Sequence, residues 1–255
     1  MKVAMLQSPL VWEDIEANKE HFLDKLNAIE KDTDLVVLPE MFVSGFTMKP
    51  ERVFLTMEDE YINKLQSLCK KHLYALTGSV VIKEGEDYYN RMFFISDEGE
   101  ISTYDKRHLF SLAGEEKIYK AGVDRLIVNY RGWNICPLVC YDLRFPVFSR
   151  NNDGVYDLLI YVASWPDQRI YAWDSLLKAR AIENMSYLVA VNRCGSDEND
   201  NIYSGHSQAL DMLGGYLVEP LTGEQVAYVT LDKAKQDKIR KSFGVLRDAD
   251  SFTIL

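Results

Sequence analysis

A dense cysteine pattern, a long apolar run and an excess of positive charge are all missing from this 255-residue sequence. Its four cysteines, Cys69, Cys136, Cys140 and Cys194, form no C-x-x-C pair and no matched metal spacing, which argues against a disulfide framework or a zinc site. None of the four histidines stands in an H-E-x-x-H or other paired arrangement, so no metal is expected. A G-x-S-x-G elbow and a G-x-G-x-x-G loop are also absent, which disfavours a serine hydrolase and a nucleotide site; no cofactor is called for. Acidic residues outnumber basic ones 39 to 29, for a net charge of −10. No basic stripe can then neutralise phosphates, so nucleic acid and anionic membranes are poor partners. The apolar opening, residues 1–6, is too short for a signal peptide, and the run at 158–163 is far below a membrane span. A cytoplasmic protein with a small-molecule ligand is the expectation.

Hydrophobic residues make up 47% of the chain, enough to bury a full core, and a single α/β domain over residues 1–255 is expected. Residues 3–6 read as a buried strand. Trp12, Ile15, Phe22, Leu23, Leu26 and Ile29 mark a helical face, and 34–38 a second strand halted by Pro39. That β-α-β order implies a parallel pair. A helix around 58–71 leads into three strand-like runs separated by acidic, glycine-bearing turns at 84–87 and 97–100. The second half repeats the scheme, with strands at 133–139, 157–163 and 187–191, a helix at 173–185, and a hairpin at Gly214-Gly215. Two sheets with helices on their outer faces account for this order.

Three residues stand where chemistry is expected. Glu40 follows an apolar strand and a proline, at the carboxyl end where α/β proteins gather their sites, although a surface glutamate is the bland alternative. Cys140 ends the apolar run 135–139 and precedes polar residues, whereas Cys136 fits a packed, inert thiol better. Lys106 lies in a charged stretch directly after a hairpin strand, a place also suited to a solvated charge.

Taken in order, Leu38-Pro39-Glu40-Met41-Phe42, Tyr104-Asp105-Lys106-Arg107-His108-Leu109-Phe110 and Leu138-Val139-Cys140-Tyr141-Asp142-Leu143-Arg144-Phe145-Pro146 resemble the three signature blocks of the nitrilase (carbon–nitrogen hydrolase) superfamily. The likeness runs from Met1 to about Glu219. It implies a four-layer α-β-β-α sandwich, a homodimer or larger assembly, and a Glu-Lys-Cys triad carried by Glu40, Lys106 and Cys140. A further family glutamate falls at Glu115 or its neighbour Glu116. A free thiol with a pKa of about 8.5 is mostly protonated at neutral pH, so a carboxylate base and a nearby ammonium suit its activation. Lys106 and the backbone N–H of Tyr141 are the expected oxyanion donors.

The longer strings Pro39-Glu40-Met41-Phe42-Val43-Ser44-Gly45-Phe46 and Tyr161-Val162-Ala163-Ser164-Trp165-Pro166 are most similar to the omega-amidase branch, which implies a 2-oxo acid amide such as 2-oxoglutaramate or 2-oxosuccinamate as substrate. Its distal carboxylate needs a cation. Arg169 is the first candidate, with Arg144 and Arg193 competing, and Trp165, Phe46 and Phe110 are candidate pocket walls. A general aliphatic amidase, a nitrilase, an N-carbamoyl amide hydrolase and a catalytically silent binding protein on the same fold are the alternatives.

Overall fold

In the computed structural model, which describes residues 1–253, strand β1 (Lys2–Gln7) is apolar on both faces for a physical reason. Val3 and Met5 point into the core between two sheets, while Ala4 and Leu6 point to the helices outside. A strand covered on both sides reads as a continuous hydrophobic run rather than an alternating one. Helix α1 (Ile15–Asn27) starts where the Asp14 carboxylate accepts the Ala17 N–H. It returns the chain to β2 (Leu35–Val37), parallel to β1. Pro39 has no N–H to give the ladder, and the strand stops just short of it.

Helix α2 (Glu60–His72), capped by Asp59, leads into β3 (Ala75–Glu84), β4 (Asp87–Ile95) and β5 (Ile101–Asp105), an antiparallel meander joined by the two acidic turns. The second half contributes β6 (Val128–Tyr130), β7 (Trp133–Val139), the short α3 (Pro146–Ser149), β8 (Leu158–Ala163), α4 (Ile170–Glu183) and β9 (Tyr187–Asn192). A ribbon of β10 (Cys194–Ser196) and β11 (Ile202–Ser204) follows, then β12 (Gln208–Leu210), β13 (Tyr216–Val218), β14 (Gln225–Thr230) and α5 (Lys233–Ser242).

The two six-stranded sheets have the orders β14-β1-β2-β3-β4-β5 and β13-β12-β9-β8-β7-β6. They pack face to face, and Val37, Met92 and Phe94 of the first share one buried cluster with Leu138, Ile160 and Val189 of the second. Phe22, Leu26, Ile62 and Leu65 of α1 and α2 cover the first sheet, and Trp173, Leu177 and Ala181 of α4 join the core of the second. The expected α-β-β-α layering is therefore present. Among the described residues no helix is long and apolar enough to cross a membrane.

The sequence reading missed the C-terminal elements. Strand β14 closes the first sheet antiparallel to β1, and the strongly charged α5 is held through buried Asp157, which accepts from Lys233 Nζ at 2.5 Å and Arg240 Nη1 at 3.1 Å. Burial elsewhere is tight enough to dictate single residues. The Gly122 N–H donates to the Lys106 carbonyl at 3.1 Å, and a Cβ on Gly122 would lie 2.1 Å from the backbone oxygen of Asp105. Gly122→Ala is expected to destabilise the fold by roughly 1–3 kcal/mol and to displace the Lys106 segment. A urea titration read beside the activity checks this; an unchanged midpoint with full activity would refute it.

Candidate active site

Four chain segments meet at the carboxyl ends of β2, β7 and β8. Glu40 follows β2 in a turn whose next residue, Met41, has φ 44°, and Ser79 on β3 fixes that turn by accepting the Met41 N–H at its hydroxyl and the Phe42 N–H at its carbonyl. Lys106 follows β5, its N–H donating to the Asn90 carbonyl at 3.0 Å. Glu115 opens a 3-10 turn beyond Phe110, and its Oε2 accepts the Phe110 N–H at 2.6 Å. Cys140 follows β7 with φ 44° and opens another 3-10 turn, Cys140–Arg144. A left-handed residue of this kind turns the chain sharply where a strand gives way to a loop, at an energy that the surrounding contacts must supply.

Those contacts centre on Asp142. Its fully buried carboxylate accepts from the Val139 N–H, the Tyr104 hydroxyl, the His108 N–H and His108 Nδ1, at 2.7–3.1 Å. The His108 ring stacks on Phe145 with centroids 3.8 Å apart. The cysteine turn and the lysine segment, which lie on different sheets, are thus locked to one another.

The charges are wholly enclosed. Lys106 Nζ lies 3.0 Å from Glu40 Oε1 and 2.9 Å from Glu115 Oε2, and all three side chains are inaccessible to solvent. Glu40 Oε2 accepts the Ser164 N–H at 2.8 Å, and Asn90 Nδ2 donates to Glu40 Oε1 at 2.8 Å. Burial alone would strip the proton from Lys106, but Glu115 and Glu40 outweigh it and hold the ammonium above the ordinary lysine range. Burial pushes the Glu115 carboxyl upward against the pull of Lys106. The Cys140 thiol is driven well up by burial and then by the Glu40 charge, with Lys106 and the Ser164 N–H acting in the other direction. The resting group is a thiol beside a carboxylate.

A cavity of about 440 Å³ opens onto this cluster. Glu40, Lys106, Cys140, Tyr141, Phe46, Phe110, Trp165 and Arg169 all line it. Glu115 sits behind Lys106 rather than on the cavity wall, while Glu116 is exposed. Arg144 also lines the cavity, its guanidinium 4.9 Å from the Trp165 ring centroid, and Arg169 lies 5.3 Å from that of Phe110. Neither arginine pairs with a carboxylate among the described residues. Arg193 is corrected as a candidate: fully buried, it is absent from the cavity wall and donates to the carbonyls of Leu10, Cys194 and Ser196. No group of acidic, histidine or cysteine side chains suited to a metal ion occurs among the described residues.

Comparison with known proteins gives the family. A family model described as "Carbon-nitrogen hydrolase" matches residues 2–241. The chain belongs to the carbon–nitrogen hydrolase family. An omega-amidase YafV from Yersinia enterocolitica is 42% identical over 256 residues, spanning 100% of this hydrolase and 99% of its own length. A 2-oxoglutaramate amidase from Bacillus subtilis is 32% identical, covering 90% of this chain and 88% of its own. Among solved structures, a CN-hydrolase superfamily protein from Xanthomonas campestris superposes with a TM-score of 0.96 at 38% identity, covering 100% and 98% of the two chains.

Sequence reasoning overlooked two polar residues that hold the hydrolase site together, Asn90 and the acceptor role of Asp142. Asn90 left a trace, since with Arg91 it stands as a polar pair between Tyr88-Tyr89 and the apolar Met92 to Ile95 of β4. Cys140 alone among the cysteines is partly accessible; Cys69 and Cys136 are buried with pKa values pushed up to about 12, and Cys194 is also buried. Iodoacetamide is therefore expected to modify Cys140 first, in step with loss of activity, as peptide mapping would show. Inactivation that tracks Cys136 would overturn the assignment.

Replacing Lys106 by methionine leaves two buried carboxylates without their cation, which is expected to destabilise the fold by roughly 3–5 kcal/mol. Glu115 already has a raised folded-state pKa, so the folded chain binds its proton more tightly than the unfolded chain and stability falls as pH rises through that window. The Lys106→Met deficit should accordingly shrink between neutral pH and pH ~5. Denaturation midpoints at several pH values test this, and a pH-independent deficit would contradict it.

Proposed function

We propose that this hydrolase is an omega-amidase that cleaves the terminal carboxamide of a short 2-oxo acid, 2-oxoglutaramate or 2-oxosuccinamate, through a thioester on Cys140. The observation that carries the proposal is one cavity that holds a thiol, a carboxylate and an ammonium together with two arginines that lack carboxylate partners. The omega-amidase and 2-oxoglutaramate amidase names of its relatives support the same substrate class.

In this mechanism Glu40 takes the Cys140 thiol proton as Sγ bonds to the amide carbon. The oxyanion that forms is held by Lys106 and by the Tyr141 N–H, an amide in the first turn after the nucleophile, where helical turns leave donors without internal partners. Collapse breaks the C–N bond, and Glu40 returns the proton to the departing ammonia. Water then attacks the thioester with Glu40 again accepting a proton, which releases the carboxylate and restores the thiol. Glu115 keeps Lys106 charged and fixed throughout.

Arg169 or Arg144 would hold the distal carboxylate, while Trp165, Phe46 and Phe110 exclude water around it. The proposal also includes a cytoplasmic homodimer or larger homo-oligomer. Exposed apolar side chains on α4 and around the β12–β13 turn, Ile182, Leu213, Tyr216 and Leu217, support the assembly. Light scattering measures it directly.

A desolvated carboxylate must be paired, so a neutral amide of equal length should lose roughly 2–5 kcal/mol of transition-state binding relative to 2-oxoglutaramate. Comparison of kcat/KM for the two amides tests the substrate class, and equal values would leave a general aliphatic amidase instead. Arg169→Ala and Arg144→Ala then identify the clamp, since only its loss should flatten the preference.

A further inference from the structure

Asn90 is fully buried in the middle of β4, opposite Val81 of β3. Its carbonyl accepts the Lys106 N–H at 3.0 Å, and its Nδ2 lies 2.8 Å from Glu40 Oε1 and 3.5 Å from Glu115 Oε1. Its Oδ1 is buried and has no hydrogen-bond partner among the described residues. An amide chosen to fill space would satisfy both ends, because a buried, unpaired acceptor costs about 1–3 kcal/mol. Here the acceptor is left bare and the donor is spent on two carboxylates. The orientation follows from charge, since Oδ1 turned toward Glu40 and Glu115 would set oxygen against oxygen. An aspartate of the same shape would bring a third negative charge to a single ammonium.

We propose that Asn90 is a positioning residue for the amide hydrolysis: as an uncharged donor it fixes the Glu40 carboxylate between Lys106 and Cys140 before the thiol proton is taken. This inference rests on the reading of Glu40 as the base. Four titratable groups face Glu40: Lys106, Glu115, Cys140 and, farther off, Tyr119. Of its contacts, Lys106 supplies charge, Ser164 a backbone donor and Cys140 the thiol to be deprotonated, which leaves Asn90 as a neutral side-chain donor outside the reacting groups. Asn90 does not line the cavity, which predicts an effect on turnover rather than on substrate binding.

Asn90→Leu removes the donor at similar volume. Turnover of 2-oxoglutaramate should fall roughly 10- to 100-fold, the effect of losing one hydrogen bond to a charged group, with KM little changed. A donor stabilises a carboxylate, so its removal should move the acidic limb of kcat/KM to higher pH. In Asn90→Asp the new carboxyl can donate only while protonated, so the deficit should deepen as pH rises. A folded Asn90→Leu enzyme whose acidic limb stays in place would overturn the proposal and leave a packing role; if that variant fails to fold, the same profile is read on Asn90→Asp. Glu40→Gln is assayed alongside. Retained turnover there would overturn the base reading and this inference together, whereas a dead Glu40→Gln with an unshifted Asn90 profile overturns this inference alone.

Discussion

The fold is organised around one enclosed ammonium. Lys106 Nζ sits between the carboxylates of Glu40 and Glu115 with no access to water. Removing three charges from solvent is unfavourable unless every remaining lone pair and proton finds a partner. The neighbouring structure supplies them. Phe110 and Ser164 donate backbone N–H groups, Asn90 gives its side-chain amide, and Gly122 presses against the Lys106 segment where no side chain fits. These parts come from β4, the turn after β5, the Glu115 turn and the end of β8. A change in any of them is felt at the same ammonium.

Function in the proposed reaction follows from how asymmetrically this cluster is exposed. The three charged side chains expose no surface to solvent, while Cys140 beside them on the cavity wall is partly accessible. The thiol is held protonated by burial and by the nearby carboxylate, so its reactivity depends on a proton transfer inside the site rather than on a thiolate present at rest. At the other side of the cavity, Arg144 and Arg169 lie over aromatic rings instead of pairing with acids. Stacking holds a guanidinium in place without neutralising it, which leaves its charge for a ligand.

Much of this was legible in the sequence because the informative signals are local. Apolar runs ending at Pro39-Glu40 and at Cys140 mark strand ends, and the acidic glycine turns mark the meander. Strand β14 and helix α5 were not legible. The strand is a half-exposed edge, and the helix is held by its polar contacts to Asp157 more than by an apolar stripe. Arg193 was misplaced for a related reason: an arginine in the sequence does not reveal whether its guanidinium faces a cavity or three backbone carbonyls. Glu115 could be told from Glu116 only once the 3-10 turn turned one inward and the other out. Asn90 and Asp142 depend on partners far along the chain and would need those contacts to be recognised.

The cluster is divided between the two sheets. Glu40, Lys106 and Glu115 belong to segments of the first sheet, whereas Cys140 and the Ser164 N–H come from the second. The thiol and the carboxylate beside it are therefore neighbours only across the seam between the sheets, so any sliding of one sheet against the other would change their separation directly.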